Sequence, residues 1–298
     1  MRKIAYSKIS DSFKIDMIET TSGCTENCLS CGYYKEICSK IYPLERNQIK
    51  TNITQKIEGT DISFIDLFNT FVTTHVNTEP LKSDAFVDLA ELTCKYTDKH
   101  SRVIAISHGV RFEDIEMIER LEKIVDLMEK KVVPLFVLSF DLARSGGKYP
   151  NNFESYVQTL QILKRVLGRE RITVSIQGDD DPKSEVFIEK ARKLFKKVIS
   201  ETDISEVELN IDERIYIPKG RAEKLNITNP DICDVIPDPE FIKYYLPQNH
   251  KWNGLIKKNG DLFATEGLDY EKCLDFYKWQ QVDTSLITYN LNSLVKVS

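Results

Sequence analysis

The stretch TSGCTENCLSCGYY, residues 21–34, places Cys24, Cys28 and Cys31 close together in a chain that has seven cysteines in 298 residues. The spacing is C-x3-C-x2-C, and it directly follows an apolar segment, Lys14–Glu19, that we predict to be the first strand of the core. Three thiolates on one short loop can hold three corners of an iron–sulfur cube and leave one iron open to a small molecule. The stretch therefore predicts a metal site with one vacant position.

Two other interpretations of these cysteines stay open at this point. With Cys38 as a fourth ligand, the group would form a closed structural site, although zinc ligands usually come in separated pairs. The cysteines could also be ordinary core or surface residues. The place of the loop favours the open site, because loops at the C-terminal ends of parallel strands carry the ligands of α/β proteins.

The pattern along the chain is that of repeated βα units, with short apolar runs alternating with longer segments of 3.6-residue period. After Lys14–Glu19 we expect five further core strands, at Thr70–His75, Val103–Ser107, Leu135–Phe140, Ile172–Gln177 and Glu206–Ile211. Between them we expect helices at Phe86–Tyr96, Glu113–Lys130, Phe153–Val166 and Ser184–Ile199. The repeat fits an α/β barrel or an open doubly wound sheet.

The periodic pattern stops near Ile217–Leu225, and four prolines between residues 230 and 247 interrupt the next part of the chain. Asn259 and Gly260 stand between two short β-prone runs, which is typical of a hairpin. We therefore expect a core domain over residues 1–222 and a small α+β appendage over residues 223–298.

Composition excludes several classes of protein. Hydrophobic residues make up 41% of the chain and charged residues 29%, without a long uncharged apolar run, so no membrane partner is expected. The net charge of −5 gives no reason to expect nucleic acid, and the basic run Lys190–Val198 has the spacing of a solvated helix face. The first residues lack the apolar segment of a signal peptide, and the cysteine count is odd, so we expect a cytoplasmic protein.

The cysteine spacing after the first strand resembles that of the radical S-adenosylmethionine (radical SAM) family. A second segment, VNTEPLKSDAFVDLAEL, resembles the family's Gly-Gly-Glu-Pro segment: Glu79 and Pro80 match, while Asn77 and Thr78 stand where glycines are common. Weaker matches occur in the family's order at VIAISHGVR, FVLSFDLAR, ITVSIQGDD and IPKGRA, so the resemblance covers about residues 14–222.

This resemblance implies a partial (βα)6 TIM-like barrel with a small α+β C-terminal appendage. It also implies a [4Fe-4S] cluster on Cys24, Cys28 and Cys31 that binds S-adenosyl-L-methionine (AdoMet). The reduced cluster would cleave AdoMet to a 5′-deoxyadenosyl radical, which abstracts hydrogen from a peptide or small natural-product substrate. Glu79 would accept a hydrogen bond from the amino group of AdoMet, since a carboxylate suits an ammonium group.

Further cofactor contacts are assigned from matching positions. The family often has an aromatic residue before the third cysteine, where this chain has Ser30, and Tyr33 or Tyr34 would supply that surface unless both only pack the loop. The other candidates for cofactor contacts are Asn77, Thr78, Ser139, Arg144 and Gln177.

Two residues are candidates for catalysis, each with a structural alternative. His108, like His75, lies near a predicted strand end, where it would transfer protons or bind substrate, or simply pack the loop. Cys233 would donate a hydrogen atom to a substrate radical, or be a buried structural cysteine.

The C-terminal hairpin resembles that of peptide-modifying members that carry auxiliary clusters. Only Cys233 and Cys273 lie downstream, whereas a fully protein-ligated cluster needs four ligands, so we expect a cluster-free lid or substrate platform. A flavodoxin or ferredoxin is the expected electron donor. The alternative function is an iron–sulfur electron-transfer or scaffold protein without radical turnover, which would have no need of the Glu79 segment.

Overall fold

The computed structural model of the protein describes a set of segments spread along the chain. These are residues 3–5, 8–18, 21–22, 24, 26, 42–43, 68–73, 79–96, 102–130, 135–141, 152–167, 172–178, 182–205, 210–215, 251–257, 261–267 and 279–283. All helices, strands and contacts given below belong to these residues.

Twelve strands and four α-helices of more than one turn lie in the described segments. The strands are β1 (Lys3–Ala5), β2 (Phe13–Ile18), β3 (Thr21–Ser22), β4 (Tyr42–Pro43), β5 (Phe68–Thr73), β6 (Arg102–Ser107), β7 (Leu135–Asp141), β8 (Ile172–Gly178), β9 (Asn210–Ile215), β10 (Trp252–Ile256), β11 (Leu262–Glu266) and β12 (Gln280–Asp283). The helices are α1 (Ala85–Tyr96), α2 (Ile115–Glu129), α3 (Asn152–Leu163) and α4 (Pro182–Thr202).

Six strands form a parallel succession in chain order, β2-β5-β6-β7-β8-β9. The helices contact one another in chain order as well, α1 with α2, α2 with α3 and α3 with α4. Because neighbouring parallel strands run in the same direction, the C-terminal ends of β2, β5, β6 and β7 lie along one edge of the sheet. The partial (βα)6 barrel stays a prediction.

The core between the sheet and the helices follows from the helical period of the apolar residues. On α2 the buried residues are Met117, Leu121, Ile124, Val125, Leu127 and Met128, which form an apolar stripe. They pack in one cluster with Phe136, Leu138 and Phe140 of β7. Successive side chains of a strand point to opposite faces, so these three define the face of β7 that the helices cover.

Local pattern predicted most of these elements correctly. Five of the six expected core strands and all four expected helices are confirmed. Most of their ends lie within about two residues of the predicted ends. The sixth strand was expected at Glu206–Ile211 but is described as β9, Asn210–Ile215, while residues 206–209 lie outside the described residues. Its charged stretch Asp212–Arg214 has low strand propensity, and β9 is the last strand of the sheet, where charged residues are common.

The C-terminal strands extend the same sheet on the other side of β2. β10 pairs with β2 in parallel and with β11 in an antiparallel arrangement, which confirms the expected hairpin. β11 continues to β12, and β12 pairs in parallel with β1. The division of the chain at residue 222 stays a prediction, and Cys233 and Cys273 lie outside the described residues.

The described helices differ from those that cross a bilayer. None of the described helices is both long enough and apolar enough to cross a membrane.

Candidate functional site

Glu79 follows β5 in the chain, and its buried carboxylate accepts hydrogen bonds from three donors. Oε1 accepts hydrogen bonds from the Leu81 backbone N–H (3.2 Å) and from the Ser107 hydroxyl (2.5 Å). Oε2 accepts the backbone N–H of His108 at 2.9 Å. Glu79 caps the 3-10 turn Pro80–Lys82 and, through Ser107, ties that turn to the end of β6. The carboxylate therefore joins the loops that follow two neighbouring strands.

The loop after β6 is fixed to helix α3 by three side chains. The backbone N–H groups of Val110, Phe112 and Glu113 donate to Thr159 Oγ1, Ser155 Oγ and Gln158 Oε1, at 3.0, 2.8 and 3.3 Å. Three donors on one short loop and three acceptors on one helix leave the loop little freedom.

Gly109 allows this loop to approach α3 closely. Its φ of +84° lies in the left-handed region, and a Cβ there would be 2.5 Å from Thr159 Oγ1 and 3.2 Å from Leu138 Cδ1. Only glycine adopts this conformation without strain and leaves the space unfilled. The chain continues to Asp114, whose carboxylate caps α2 by accepting the Met117 N–H at 3.1 Å.

The cysteine loop is held at its base and at one internal point. β3 and β4 pair in an antiparallel arrangement, with Thr21 opposite Pro43 and Ser22 opposite Tyr42, so they bracket the three cysteines. Within the loop Cys24 is partly exposed, whereas Glu26 is fully buried.

Two cations approach the buried carboxylate of Glu26. Lys82 Nζ is 3.3 Å from Glu26 Oε1, and Arg111 Nη2 is 3.1 Å from the same oxygen. They are close charge pairs at Oε1, not aligned hydrogen bonds. Lys82 also lies 3.6 Å from Asp114 Oδ2. The cysteine loop, the turn after β5 and the loop after β6 are therefore joined by charge.

Ser139 presents an unsatisfied hydroxyl near the end of β7. The residue is buried, and its Oγ has no hydrogen-bond partner in the described structure. Because Leu138 and Phe140 belong to the helix-facing core, Ser139 lies on the opposite face of the strand. A buried polar atom without a partner costs free energy, so this hydroxyl is a natural contact for a ligand.

The predicted site residues are described to different extents. The structure brings Glu79 and the backbone of His108 together, and the His108 side chain is partly exposed. Gln177 lies on β8, where it pairs in register with Asp141. The other predicted residues lie outside the described residues: Cys28, Cys31, Tyr33, Asn77, Thr78, Arg144 and Cys233.

Four residues of this arrangement were not predicted as site residues from the sequence: Ser107, Glu26, Lys82 and Arg111. Ser107 stands in one of the segments that resemble the family, which is a weak signal. Glu26 carries no such signal, because a single acid among polar loop residues normally faces solvent.

The described residues contain no group of three or more His, Cys, Asp or Glu side chains that could hold a metal ion, and two of the three clustered cysteines are not among them. Compared with models of known protein families and with curated proteins, the chain matches none of them. The resemblance to radical SAM enzymes therefore rests on the residues of the chain itself.

Proposed function

We propose that the protein is a radical SAM enzyme that acts on a peptide or a small natural product. The observation that carries this proposal is the coupling of two features at one edge of the sheet. The C-x3-C-x2-C loop follows β2, and the turn after the adjacent strand β5 holds a buried carboxylate at Glu79. The charge pairs of Glu26 join the two.

The donors in the described residues fit the cofactors that this function needs. Cys24 is partly exposed, as a ligand of an added cluster must be, and it would hold the cluster with Cys28 and Cys31. Glu79 would accept from the amino group of AdoMet, and the unsatisfied hydroxyl of Ser139 suits its ribose or carboxylate. When bound, the reduced [4Fe-4S] cluster and AdoMet supply the electron and the 5′-deoxyadenosyl radical that removes hydrogen from the substrate.

The described residues contribute binding and orientation. Three donors fix the Glu79 carboxylate, so that little reorganisation is needed when it meets an ammonium group. The loop after β6 carries His108 beside Glu79, where an imidazole would bind substrate or move a proton. Helix α3 holds that loop through the Val110 N–H, and we expect this support to keep the imidazole near the proposed cofactor site.

The chemistry of the cluster also indicates the compartment and the electron donor of the proposed reaction. Thiolate ligands and a low-potential cluster require a reducing compartment, so we propose a cytoplasmic location with a flavodoxin or ferredoxin as electron donor. The region after residue 222 would cover the substrate, with Cys233 as a candidate hydrogen-atom donor.

The test is anaerobic AdoMet cleavage. Protein reconstituted with iron and sulfide is mixed with dithionite and AdoMet, and 5′-deoxyadenosine is quantified in the wild type, in Cys28→Ala and in Cys94→Ala. Cys94 belongs to helix α1 and serves as a matched cysteine control. We expect product from the wild type and Cys94→Ala and none from Cys28→Ala.

Two results would contradict the proposal. Equal product from Cys28→Ala would remove the cysteine loop from the reaction. A full, reducible cluster that yields no 5′-deoxyadenosine, with or without candidate peptides, would favour the electron-transfer or scaffold function instead.

A further inference from the structure

We propose that Glu26 is a positioning residue that fixes the cysteine loop against the loops that follow β5 and β6. The inference rests on the proposed function, because it concerns the loop that would hold the cluster. Glu26 does not itself bind the cluster in this proposal. It acts through the placement of Cys24 and Cys28.

The first argument is the burial of the charge. Glu26 has no exposed surface, and an isolated carboxylate in such a place is strongly unfavourable. Lys82 and Arg111 balance it from two different loops. A buried charge between two cations has one favourable position, because any displacement separates it from at least one partner.

The second argument is that both cations stand on fixed supports. Lys82 ends the 3-10 turn Pro80–Lys82, which Glu79 caps and in which Leu81 is fully buried. Arg111 belongs to the loop after β6, and the residues on either side of it are hydrogen-bonded to Thr159 and Ser155 of α3. Through these two cations, Glu26 therefore holds its part of the cysteine loop in place against the turn after β5 and the loop after β6.

The third argument is the place of Glu26 in the motif. It lies two residues after Cys24 and two residues before Cys28. The Cα atoms of both cysteines therefore lie within about 7 Å of the Cα atom of Glu26, whatever the loop conformation. Lys82 follows Glu79 by three residues in one capped turn. Holding Glu26 on Lys82 thus limits how far the Cα atoms of Cys24 and Cys28 can lie from the turn that carries the carboxylate predicted to bind AdoMet.

The fourth argument is the entropy of the loop. β3 and β4 close its base, and the entropy lost on closing a loop grows with the length of the loop. Cluster assembly must bring three thiols together and order the chain between them. An internal anchor at Glu26 reduces that cost before any metal binds.

The experiment compares Glu26→Gln with the wild type and with Asp126→Asn. The first change removes the charge at nearly constant volume. The second makes the same chemical change in an exposed pair, where Asp126 lies 2.9 Å from Arg165. Two quantities are measured: hydrogen exchange of peptides spanning residues 21–34 in the apoprotein, and the rate of iron release from the reconstituted protein to a chelator.

For Glu26→Gln we expect faster hydrogen exchange in the 21–34 peptides and iron release about 10-fold faster than in the wild type. This factor is the lower end of the loss in metal affinity that follows when a residue supporting a metal ligand is removed. Asp126→Asn should match the wild type in both. Adding Arg111→Met to Glu26→Gln should accelerate iron release little further, because the charge pair between these two side chains is already lost in Glu26→Gln.

The outcomes separate this inference from the proposed function. If the wild type binds a cluster and Glu26→Gln exchanges and releases iron at the wild-type rates, the anchoring role is wrong while the enzyme proposal stands. If the wild type binds no cluster, the proposed function fails, and the exchange of the apoprotein alone decides whether Glu26 holds the loop.

Discussion

Two buried acids lie at this edge of the sheet and have different kinds of partner. Glu79 is held by neutral donors, two backbone N–H groups and one hydroxyl. Glu26 is held by the side chains of Lys82 and Arg111. The backbone and hydroxyl donors orient the Glu79 carboxylate, whereas Lys82 and Arg111 stabilise the charge of Glu26. At the scale of single residues, we therefore expect Glu79 to bind the cofactor and Glu26 to hold the loop.

The hydrogen bonds of Glu79 predict the effect of Glu79→Gln on stability. The amide has only one acceptor oxygen, so at least one of the three donors loses its acceptor in a buried place. We expect a loss of about 2 kcal/mol in the free energy of unfolding, measured by urea denaturation of the apoprotein. Ser107→Ala removes one donor to the carboxylate and also the acceptor of the buried Gly109 N–H at 2.9 Å, so it should lower the free energy of unfolding by a similar amount, about 2 kcal/mol. Equal stability of Glu79→Gln and the wild type would contradict the buried network.

Ser139→Ala should change stability and affinity in opposite directions. Removing an unsatisfied buried hydroxyl should raise the free energy of unfolding by about 1 kcal/mol. If the hydroxyl contacts AdoMet, its loss should weaken AdoMet binding roughly five-fold, measured as Kd by calorimetry on the reconstituted protein.

Ser83→Ala is the matched control for Ser139→Ala. Ser83 Oγ is likewise buried without a hydrogen-bond partner in the described residues, but Ser83 lies beyond the turn that carries Glu79. Ser83→Ala should show the gain in stability with unchanged Kd. Unchanged Kd in both variants would remove Ser139 from the cofactor site.

At the scale of elements, most helices and strands could be predicted from the sequence, because local patterns specify them. The stripe on α2 and the apolar run of β7 give helical and strand periods that need no knowledge of the rest of the chain. The sequence did not predict how the elements are tied together. Neither the hydrogen bonds from the loop after β6 to α3 nor the charge pairs of Glu26 leave a local pattern, because their partners are distant in sequence.

The loop after β6 predicts a large effect for Gly109→Ala. The added methyl group would meet Thr159 Oγ1, and the left-handed φ disfavours any residue with a Cβ. We expect a loss of about 2 kcal/mol or more in the free energy of unfolding, measured by chemical denaturation.

The companion variant for Gly109→Ala is Gly109→Ala combined with Thr159→Ser. It removes the Thr159 methyl group, which a Cβ at Gly109 would also meet, and keeps the acceptor of the Val110 N–H. It should recover only part of the loss, because the backbone strain remains. Full stability of the single variant would show that the loop does not need glycine.

At the scale of the whole molecule, the sheet unites both ends of the described chain. β10 lies beside β2, with Trp252 opposite Phe13, and β12 lies beside β1, with Gln281 opposite Lys3. The hairpin of β10 and β11 was predictable from its turn residues, but its docking on β2 was not. Pairing between distant strands depends on packing and register that local sequence does not encode.

The contact between β10 and β2 predicts that Gly254→Ala destabilises the molecule. A Cβ at Gly254 would be 2.5 Å from Cζ of the buried Phe13 ring and 3.0 Å from the Lys14 carbonyl oxygen. We expect a loss of about 1–3 kcal/mol in the free energy of unfolding. Phe13→Leu removes the ring atoms that the added methyl group would meet. It should therefore lower the free energy of unfolding less in the Gly254→Ala background than in the wild type. Additive effects of the two changes would contradict this packing.

The pairing of β2 with β10 also bears on how the protein is made. A ribosome delivers β2 long before β10, so one edge of β2 waits without its partner while the core strands between them assemble. Such an edge, with unpaired backbone groups, readily joins another strand. Nascent chains that stall before Trp252 should therefore engage chaperones or aggregate, whereas chains released after Glu266 have β10 and β11 available to cover that edge.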